Sequence, residues 1–218
     1  FSEGSILYAT GAVHLLGTEH DPVVFTAQDE NWGGMVVIKA GKRSTWQYAV
    51  IEKTAGISRD GWLMTGGITF YQSDILLDHV VLGNNQTEDA INVIHSSFEF
   101  RDSRFSNTFA DAFDGDFSDG SITNCFFEDI AGDAIDVSGA NITVSDTRMD
   151  RITDKGVSIG EESVAVVTRV MMDTVGIGVA SKDLSNVTIR DSQIRRPRFS
   201  ALAAYIKKPV YGPARIEA

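Results

Sequence analysis

Hydrophobic and polar residues alternate along short segments through most of the chain. In segments such as AIDVS and NITVS, apolar and polar positions follow one another, and Gly, Asn, Asp or Ser bounds the segment. A period of two residues is typical of a β-strand with one buried and one exposed side. No segment carries an apolar stripe at helical spacing over ten residues. The pattern therefore predicts an all-β chain of short strands joined by turns.

The same segments recur with a fixed period. DAIN begins at Asp89, and its counterparts begin at intervals of 22 residues, at Asp111, Asp133, Lys155 and Ile177. Five copies in one phase are the signature of a repeat architecture, in which each repeat contacts its neighbours in a stack. Because each repeat has room for three short strands, the period predicts a parallel β-solenoid with coils about 4.8 Å apart.

A second pattern, apolar-x-polar-x-x-apolar, recurs beside the first with spacings of 22 to 24 residues. Its predicted copies are Leu76/Asp78/Val81, Phe100/Asp102/Phe105, Ile122/Asn124/Phe127, Val144/Asp146/Met149, Val167/Arg169/Met172 and Ile189/Asp191/Ile194. Spacings that vary by one or two residues indicate loops that bulge from a regular stack. We expect a single domain, with irregular N-terminal coils in residues 1–60, regular coils in 61–199 and a C-terminal cap or tail in 200–218.

Composition narrows the possible partners. The 218 residues are 43% hydrophobic, which suits a chain that buries a sizeable core, and no apolar run is long enough to cross a bilayer. Cys125 is the only cysteine, so the chain has no intrachain disulfide. The net charge is −11, and residues 88–154 hold fifteen acidic and four basic residues. Since such a field repels phosphate backbones, we expect no nucleic-acid partner and no membrane insertion.

Strand alternation assigns the acidic residues to a surface. In AIDVS, Ile135 and Val137 must face an apolar core, so Asp136 faces outward. The period then places Asn92, Asp114, Asp136 and Ser158 in one outward column. A parallel outward column contains Ile94, Asp116, Ser138, Gly160 and Lys182. We therefore expect Asp114, Asp116 and Asp136 to cluster on one sheet face.

Carboxylates one coil apart repel each other by about 1 kcal/mol at 5 Å even in water, so the cluster needs relief. The repulsion can be reduced in three ways: by a bound cation, by neighbouring lysines, or by a proton that two carboxylates share. Calcium favours such oxygen ligands, and its predicted ligands are Asp114, Asp116, Asp136 and Asn92. A shared proton would provide the acid and base of a glycosidase or the base of a lyase. Lys155 and Lys182 would orient the substrate.

Asp89, Asp111 and Asp133 have a different predicted position, at the turn before each strand. Aspartate favours turns because its side chain bonds the backbone two residues further on. A purely structural role is the alternative for these three residues, and it stays open for the outward aspartates as well.

The repeats also resemble a known family. Segments such as DAIDVSGANITVSDTRMDRI resemble the right-handed parallel β-helix repeats of the pectate-lyase-like superfamily, and PVVFTAQDENWGGMVVI resembles the opening coils of bacterial extracellular β-helix proteins. The resemblance implies a right-handed parallel β-helix at the surface or outside of a bacterial cell. The superfamily contains lyases, hydrolases, epimerases and non-catalytic adhesins. The Gly-His-Gly motif of polygalacturonases and the Asp-Pro-His motif of alginate epimerases are absent.

Two functions follow from the sequence. The first is an extracellular β-helix protein that engages polysaccharide on the acidic face, with cleavage by a lyase or a hydrolase left open. Asp114 and Asp136 would then be the carboxylate pair, and Asp116 would assist or bind a cation. The second is a non-catalytic surface or adhesion module with structural calcium or turn-forming aspartates. Because FSEGSILYAT has the character of mid-structure sequence, we expect either one to be part of a larger multidomain protein.

Overall fold

A computed structural model describes residues 1–59 and 61–218, and the chain winds through repeated coils of short strands. The strands are β1 (Ile6–Ala9), β2 (His14–Leu16), β3 (Val23–Phe25), β4 (Gly34–Ile38), β5 (Ser44–Gln47), β6 (Ala49–Glu52), β7 (Ile57–Arg59), β8 (Trp62–Met64), β9 (Gly66–Tyr71), β10 (Ile75–Asp78), β11 (Val81–Gly83), β12 (Asp89–Ile94), β13 (Phe98–Arg101), β14 (Arg104–Thr108), β15 (Asp111–Asp116), β16 (Gly120–Thr123), β17 (Phe126–Ile130), β18 (Ile135–Ser138), β19 (Asn141–Ser145), β20 (Arg148–Gly160), β21 (Val164–Thr168), β22 (Met171–Lys182), β23 (Asn186–Arg190), β24 (Gln193–Arg195), β25 (Ser200–Tyr205) and β26 (Arg215–Glu217).

These strands form three parallel faces along the axis of the coil. Face A contains β1, β4, β9, β12, β15, β18, the second halves of β20 and β22, and β25. Face B contains β2, β5, β10, β13, β16, β19, β21, β23 and β26. Face C contains β3, β6, β11, β14, β17, the first halves of β20 and β22, and β24. The chain visits A, B and C in turn for about eight coils, which confirms the predicted parallel β-helix.

Two strands stand apart from the coils. β7 and β8 pair with each other in an antiparallel hairpin, and the Trp62 ring meets Tyr8 of face A edge-on, with the ring centroids 5.5 Å apart. Within the described ranges, no helix is long and apolar enough to cross a membrane.

The core fills the space between the three faces with apolar side chains in columns. On face A the inward column contains Ile91, Phe113, Ile135, Val157 and Val179, all fully buried. On face C, the rings of Phe105 and Phe127 stack face to face with centroids 4.5 Å apart. Because every coil repeats the alternation, each inward side chain packs on its counterpart one coil away.

Residues in the left-handed backbone conformation turn the chain from one face to the next, one at most corners and two in succession at Glu161–Glu162 and Asp183–Leu184. The turn from A to B uses Lys39, Gln72, His95, Phe117, Gly139, Glu161 and Asp183; the turn from B to C uses Tyr48, His79, Asp102, Asn124, Asp146, Arg169 and Asp191; and the turn from C to A uses Lys53, Asn84, Asn107, Asp129, Arg151, Thr174 and Arg196. We call these positions corner AB, corner BC and corner CA. The positive φ recurs at the same place in successive coils. It bends the chain there while the strands on either side stay in register with the next coil.

Corner BC corrects one sequence prediction. The polar position of the second repeat pattern is the corner residue, so its first copy is Leu77/His79/Leu82. The prediction of Leu76/Asp78/Val81 was wrong by one residue. Leu77 pairs with Phe100 and Leu82 with Phe105. Two adjacent leucines satisfy the apolar position equally well, and the sequence alone does not distinguish them.

Buried hydroxyl groups connect successive coils beside corner AB. The Ser96 Oγ accepts a hydrogen bond from the Ser73 backbone N–H at 2.7 Å and donates to the Ile94 carbonyl at 2.8 Å. The Ser118 Oγ accepts from the Ser96 N–H in the same way, at 3.1 Å. Each such bond satisfies a buried backbone donor at which the ladder is interrupted.

We expect the stacked phenylalanines to carry much of the stability of the middle coils. Phe127→Ala should lower the free energy of unfolding by about 3–5 kcal/mol, because it removes a fully buried ring and leaves a cavity. Phe109→Ala is the matched control, since Phe109 is 64% exposed. Denaturant titration measures both variants. Equal midpoints for the two would contradict the stacked core.

Candidate functional site

The acidic residues of the middle coils lie together on the outer side of face A. Parallel pairing places Asn92, Asp114, Asp136 and Ser158 opposite one another in four successive strands. The neighbouring outward column contains Ile94, Asp116, Ser138 and Gly160. We call Asp89, Asp111, Asp114, Asp116, Asp133 and Asp136 the acidic cluster. Its arrangement follows the 22-residue spacing of the sequence.

Asp114 is half-buried at the centre of the cluster. The Asn92 amide Nδ2 donates a hydrogen bond to its Oδ2 at 2.6 Å. Burial, and next the negative charges of Asp116 and Asp89, raise the pKa of Asp114 to about 9. The carboxyl group therefore keeps its proton at neutral pH and can donate it.

Asp136 occupies the same column one strand further on, in a different environment. The Lys182 Nζ lies 3.2 Å from its Oδ1. Lys182 is two strands away, and its side chain reaches Asp136 by passing over Gly160, where an added Cβ would stand 3.2 Å from the Lys182 Cε. Asp114 and Asp136 are thus neighbouring carboxyl groups, one protonated and one in an ion pair.

Asp116 lies beside an aromatic stack at corner AB. Its pKa is raised by burial and next by the charge of Asp136, while Asn92 and His95 oppose the shift. The His95 and Phe117 rings stack with centroids 5.0 Å apart, and Phe117 is 59% exposed. The site residues predicted from the sequence did not include these two rings. The signal that could have found them is their spacing of 22 residues.

Asp111 and Asp133 support the coils rather than face outward with the others. The Asp111 Oδ1 accepts a hydrogen bond from the Asp133 backbone N–H at 2.7 Å, and the Asp133 Oδ1 accepts one from the Lys155 N–H at 2.8 Å. Each carboxylate therefore bonds the backbone of the next coil. An aspartate turn would instead bond the backbone two residues further along the chain. Burial is the main cause that raises the pKa of Asp111 to about 6 and of Asp133 to about 7.

The two predicted lysines both lie at the acidic cluster, and each forms ion pairs there. Lys155 Nζ lies 3.2 Å from Asp133 and 2.6 Å from Asp154, and Lys182 Nζ is paired with Asp136. The Lys182 side chain is 4% exposed and the Lys155 side chain 14%. Both ammonium groups thus neutralise carboxylates of the protein, and their predicted role in orienting a substrate stays a prediction. Lysines supply part of the relief that the cluster requires.

A group of possible cation ligands in the structure differs from the predicted set of Asp114, Asp116, Asp136 and Asn92. One oxygen each of Asp111, Asp133 and Asp136 lie within 4.8 Å of one another, a group that could hold a metal ion. Asp136 is the one member of the predicted set in this group. Asp114 and Asn92 are instead bonded to each other, and Asp116 is not part of the group.

A second group with such spacing lies at corner BC and consists of Asp78, His79 and Asp102. Asp78 has partners already, because His79 Nδ1 is 2.6 Å from its Oδ1 and Arg101 is 2.8 Å from its Oδ2. The hydrogen bonds to Arg101, Gln47 and His79 outweigh burial and lower the pKa of Asp78 to about 2. Asp78 therefore stays a carboxylate that orients His79.

The comparisons with known proteins establish the family. The model of the right-handed β-helix region matches residues 66–207, and the chain belongs to this family. The predicted right-handed parallel β-helix is confirmed.

Several solved structures are similar to the whole chain. The catalytic domain of GH87 alpha-1,3-glucanase in complex with nigerose has 12% sequence identity and a TM-score of 0.42, and the chain spans 62% of its length. An alginate lyase from Paenibacillus sp. str. FPU-7 has 14% identity and a TM-score of 0.48, with 91% of its length covered. No curated protein matches the chain.

The protonated state of Asp114 has a consequence for stability. Its pKa rises from 3.8 to about 9 on folding, so the folded protein binds this proton more tightly than the unfolded chain does. Stability is therefore lost as the pH rises between these two values. Because Asp114→Asn removes the titration, we expect the variant to gain stability over the parent as the pH increases from about 5 to about 8.

Denaturant midpoints at both pH values measure this gain. Asp146→Asn is the control. Arg169 lowers the pKa of Asp146, so removal of this carboxylate should not increase stability at the higher pH. An advantage of Asp114→Asn that is the same at both pH values would show that the proton is not held as described.

Proposed function

We propose that this β-helix protein binds a glycan on the acidic cluster of face A and hydrolyses it. Asp114 is the general acid and base, and Asp136 is the nucleophile. The observation that carries the proposal is the unlike state of two carboxyl groups in adjacent strands. Asp114 holds a proton with its pKa raised to about 9, and Asp136 is ion-paired with Lys182. Carboxyl groups whose environments separate them in this way serve as the acid and base of many enzymes.

The spacing of the pair favours a double displacement. Adjacent parallel strands are about 4.8 Å apart, close to the roughly 5–5.5 Å between the carboxyl groups of retaining glycosidases. Asp114 gives its proton to the glycosidic oxygen while an Asp136 oxygen forms a bond to the anomeric carbon and the glycosidic bond breaks. Water then attacks that carbon, its proton returns to Asp114, and the bond to Asp136 breaks.

Hydrolysis fits the cluster better than elimination does. A lyase removes a proton next to a sugar carboxylate, and a cation must stabilise the charge that develops there. Lys155 and Lys182 are the lysines closest to the cluster, and both are paired with aspartates. A uronic-acid substrate would therefore find no free cation at the cluster for its own carboxylate.

The aromatic stack provides a surface for the sugar ring. Phe117 is exposed beside Asp116, and His95 supports its other side. An aromatic face buries the apolar side of a pyranose while the polar edge reaches hydrogen-bonding groups. We propose that Phe117 positions the sugar whose bond is cleaved, with Asp116 as a hydrogen-bond acceptor for its hydroxyl groups.

We propose further that the protein acts outside the cell or at the surface of a bacterium, as one part of a larger protein. The resemblance of its repeats to bacterial extracellular β-helix proteins supports this location.

Substitution of either carboxyl group should remove hydrolysis. We expect Asp114→Asn and Asp136→Asn each to lower the rate by about 10²–10⁴-fold, because each removes one partner of the proton transfer or displacement. Glucans, mannan, xylan and chitosan are the substrates to screen, with new reducing ends as the measurement. Asp191→Asn at corner BC removes the same charge far from the cluster and should leave the rate unchanged. Absence of turnover on the whole panel, or unaffected rates in both variants, would contradict the hydrolase.

A non-catalytic module is the second candidate, and the oxygen group of Asp111, Asp133 and Asp136 favours it. A calcium ion there would join two coils and relieve the repulsion without any reaction. The same residues would then be structural, as the hydrogen bonds from Asp133 and Lys155 backbone groups already are.

Thermal unfolding tests the calcium site. A ligand present at 100 times its Kd and bound only to the folded state stabilises it by about 2.7 kcal/mol, so added calcium should raise the Tm and a chelator should reverse the change. Asp111→Asn should abolish the response while it keeps the oxygen that accepts the Asp133 N–H. Asp191→Asn should respond as the parent does. If added calcium leaves the Tm of the parent unchanged, the protein has no such site.

A further inference from the structure

At neutral pH the acidic cluster offers mostly hydrogen-bond acceptors, and the protonated carboxyl group of Asp114 is a donor among them. The cluster contains six carboxyl groups on three successive coils. Lys155 and Lys182 reach it, and both are bonded to aspartates. A ligand that fits this surface must therefore bring donors, and positive charge would improve the fit further.

Two buried polar groups beside the cluster lack partners. Ser158 is fully buried in the column of Asp136, and its Oγ has no hydrogen bond. Asn92 is 3% exposed, and its Oδ1 has no donor although its Nδ2 is bonded to Asp114. A buried polar atom without a partner costs about 1–3 kcal/mol. These atoms border the outward carboxyl groups at both ends of the column, so the cluster contains unsatisfied hydrogen-bonding groups beside its carboxyl groups.

We propose that the glycan bound at the acidic cluster is a polymer of amino sugars with free amines. This inference rests on the proposed function and names its substrate class. An ammonium group supplies three donors and one positive charge, so it matches the surplus of acceptors that the cluster presents. The Phe117 face adds an attraction, because a cation within about 6 Å of an aromatic ring is stabilised by its quadrupole.

Other classes of glycan match the acidic cluster less well than a polymer with free amines. A uronic acid brings a carboxylate to a surface of carboxylates, and repulsion at 5 Å costs about 1 kcal/mol per pair even in water. An N-acetylated sugar keeps the same ring but replaces the ammonium with a neutral amide that has one donor. A free polyamine has the charge but no ring to place on Phe117.

Calorimetry with four probes tests the assignment. The probes are the glucosamine hexamer, the N-acetylglucosamine hexamer, the galacturonic acid hexamer and spermidine. The measurement is made at pH 7, because a lower pH would also protonate Asp111 and Asp133, whose pKa values are about 6 and about 7. Asp114→Asn is the background protein, because it prevents turnover and resembles the protonated carboxyl group. We expect the glucosamine hexamer to bind at least about tenfold more tightly than each other probe.

A matched pair of variants assigns the binding to the cluster. Asp116→Asn in the same background should weaken glucosamine hexamer binding about tenfold, since it removes one charge beside Phe117. Asp191→Asn removes one charge at corner BC and should have no effect. Equal losses in both variants would show unspecific attraction to a protein of net charge −11 and overturn the inference.

The remaining outcomes separate this inference from the proposed function. Tight binding of the glucosamine hexamer without cleavage by the parent supports the amino-sugar site and contradicts the hydrolase. Cleavage of a neutral glycan with equal binding of the acetylated and free hexamers supports the hydrolase and overturns the amino-sugar site. Spermidine binding as tight as the glucosamine hexamer overturns it as well, because charge alone would then explain the affinity.

Discussion

Parallel, in-register stacking of the coils is the constraint on which the other features depend. Residues 22 positions apart come to lie one strand apart, at about 4.8 Å, whatever their chemistry. The same rule that stacks Phe105 on Phe127 in the core therefore stacks Asp114 on Asp136 outside it. In the core the rule is favourable at every coil. On the outer face it forces like charges together, and the chain must compensate.

The compensation differs from carboxylate to carboxylate, and these differences create chemistry. Asp133 and Asp136 are paired with lysines, and Asp111 accepts a backbone N–H from the next coil. Asp114 has only an amide partner in Asn92, so its charge is suppressed by a proton instead. A uniform stack of aspartates would have uniform properties. Unequal relief leaves one acid and one ion-paired carboxylate side by side.

The sequence predicts the coils and the outward columns because both follow from a period and an alternation. The sequence predicts less where the length of a side chain determines a contact, or where two adjacent residues fit the same position of the pattern. Leu76 and Leu77 satisfy the apolar position equally, so the first copy was assigned one residue early. Lys182 reaches Asp136 across two strands because Gly160 leaves room for its side chain, and no spacing rule contains that path.

The column that holds Asp114 also indicates what the fold itself requires there. The equivalent position is Asn92 in the preceding coil and Asp136 in the following one, and beyond Asp136 come Ser158 and Ala180, which are neutral like Asn92. Coils with those residues stack in the same register, so the architecture does not need a carboxyl group at this position. Burial that raises the pKa of Asp114 to about 9 makes the charged form unfavourable, and asparagine would avoid that cost. A residue whose replacement would stabilise the fold is best explained by its interaction with a ligand. Asp114 is such a residue, and this favours a site over a turn-forming role.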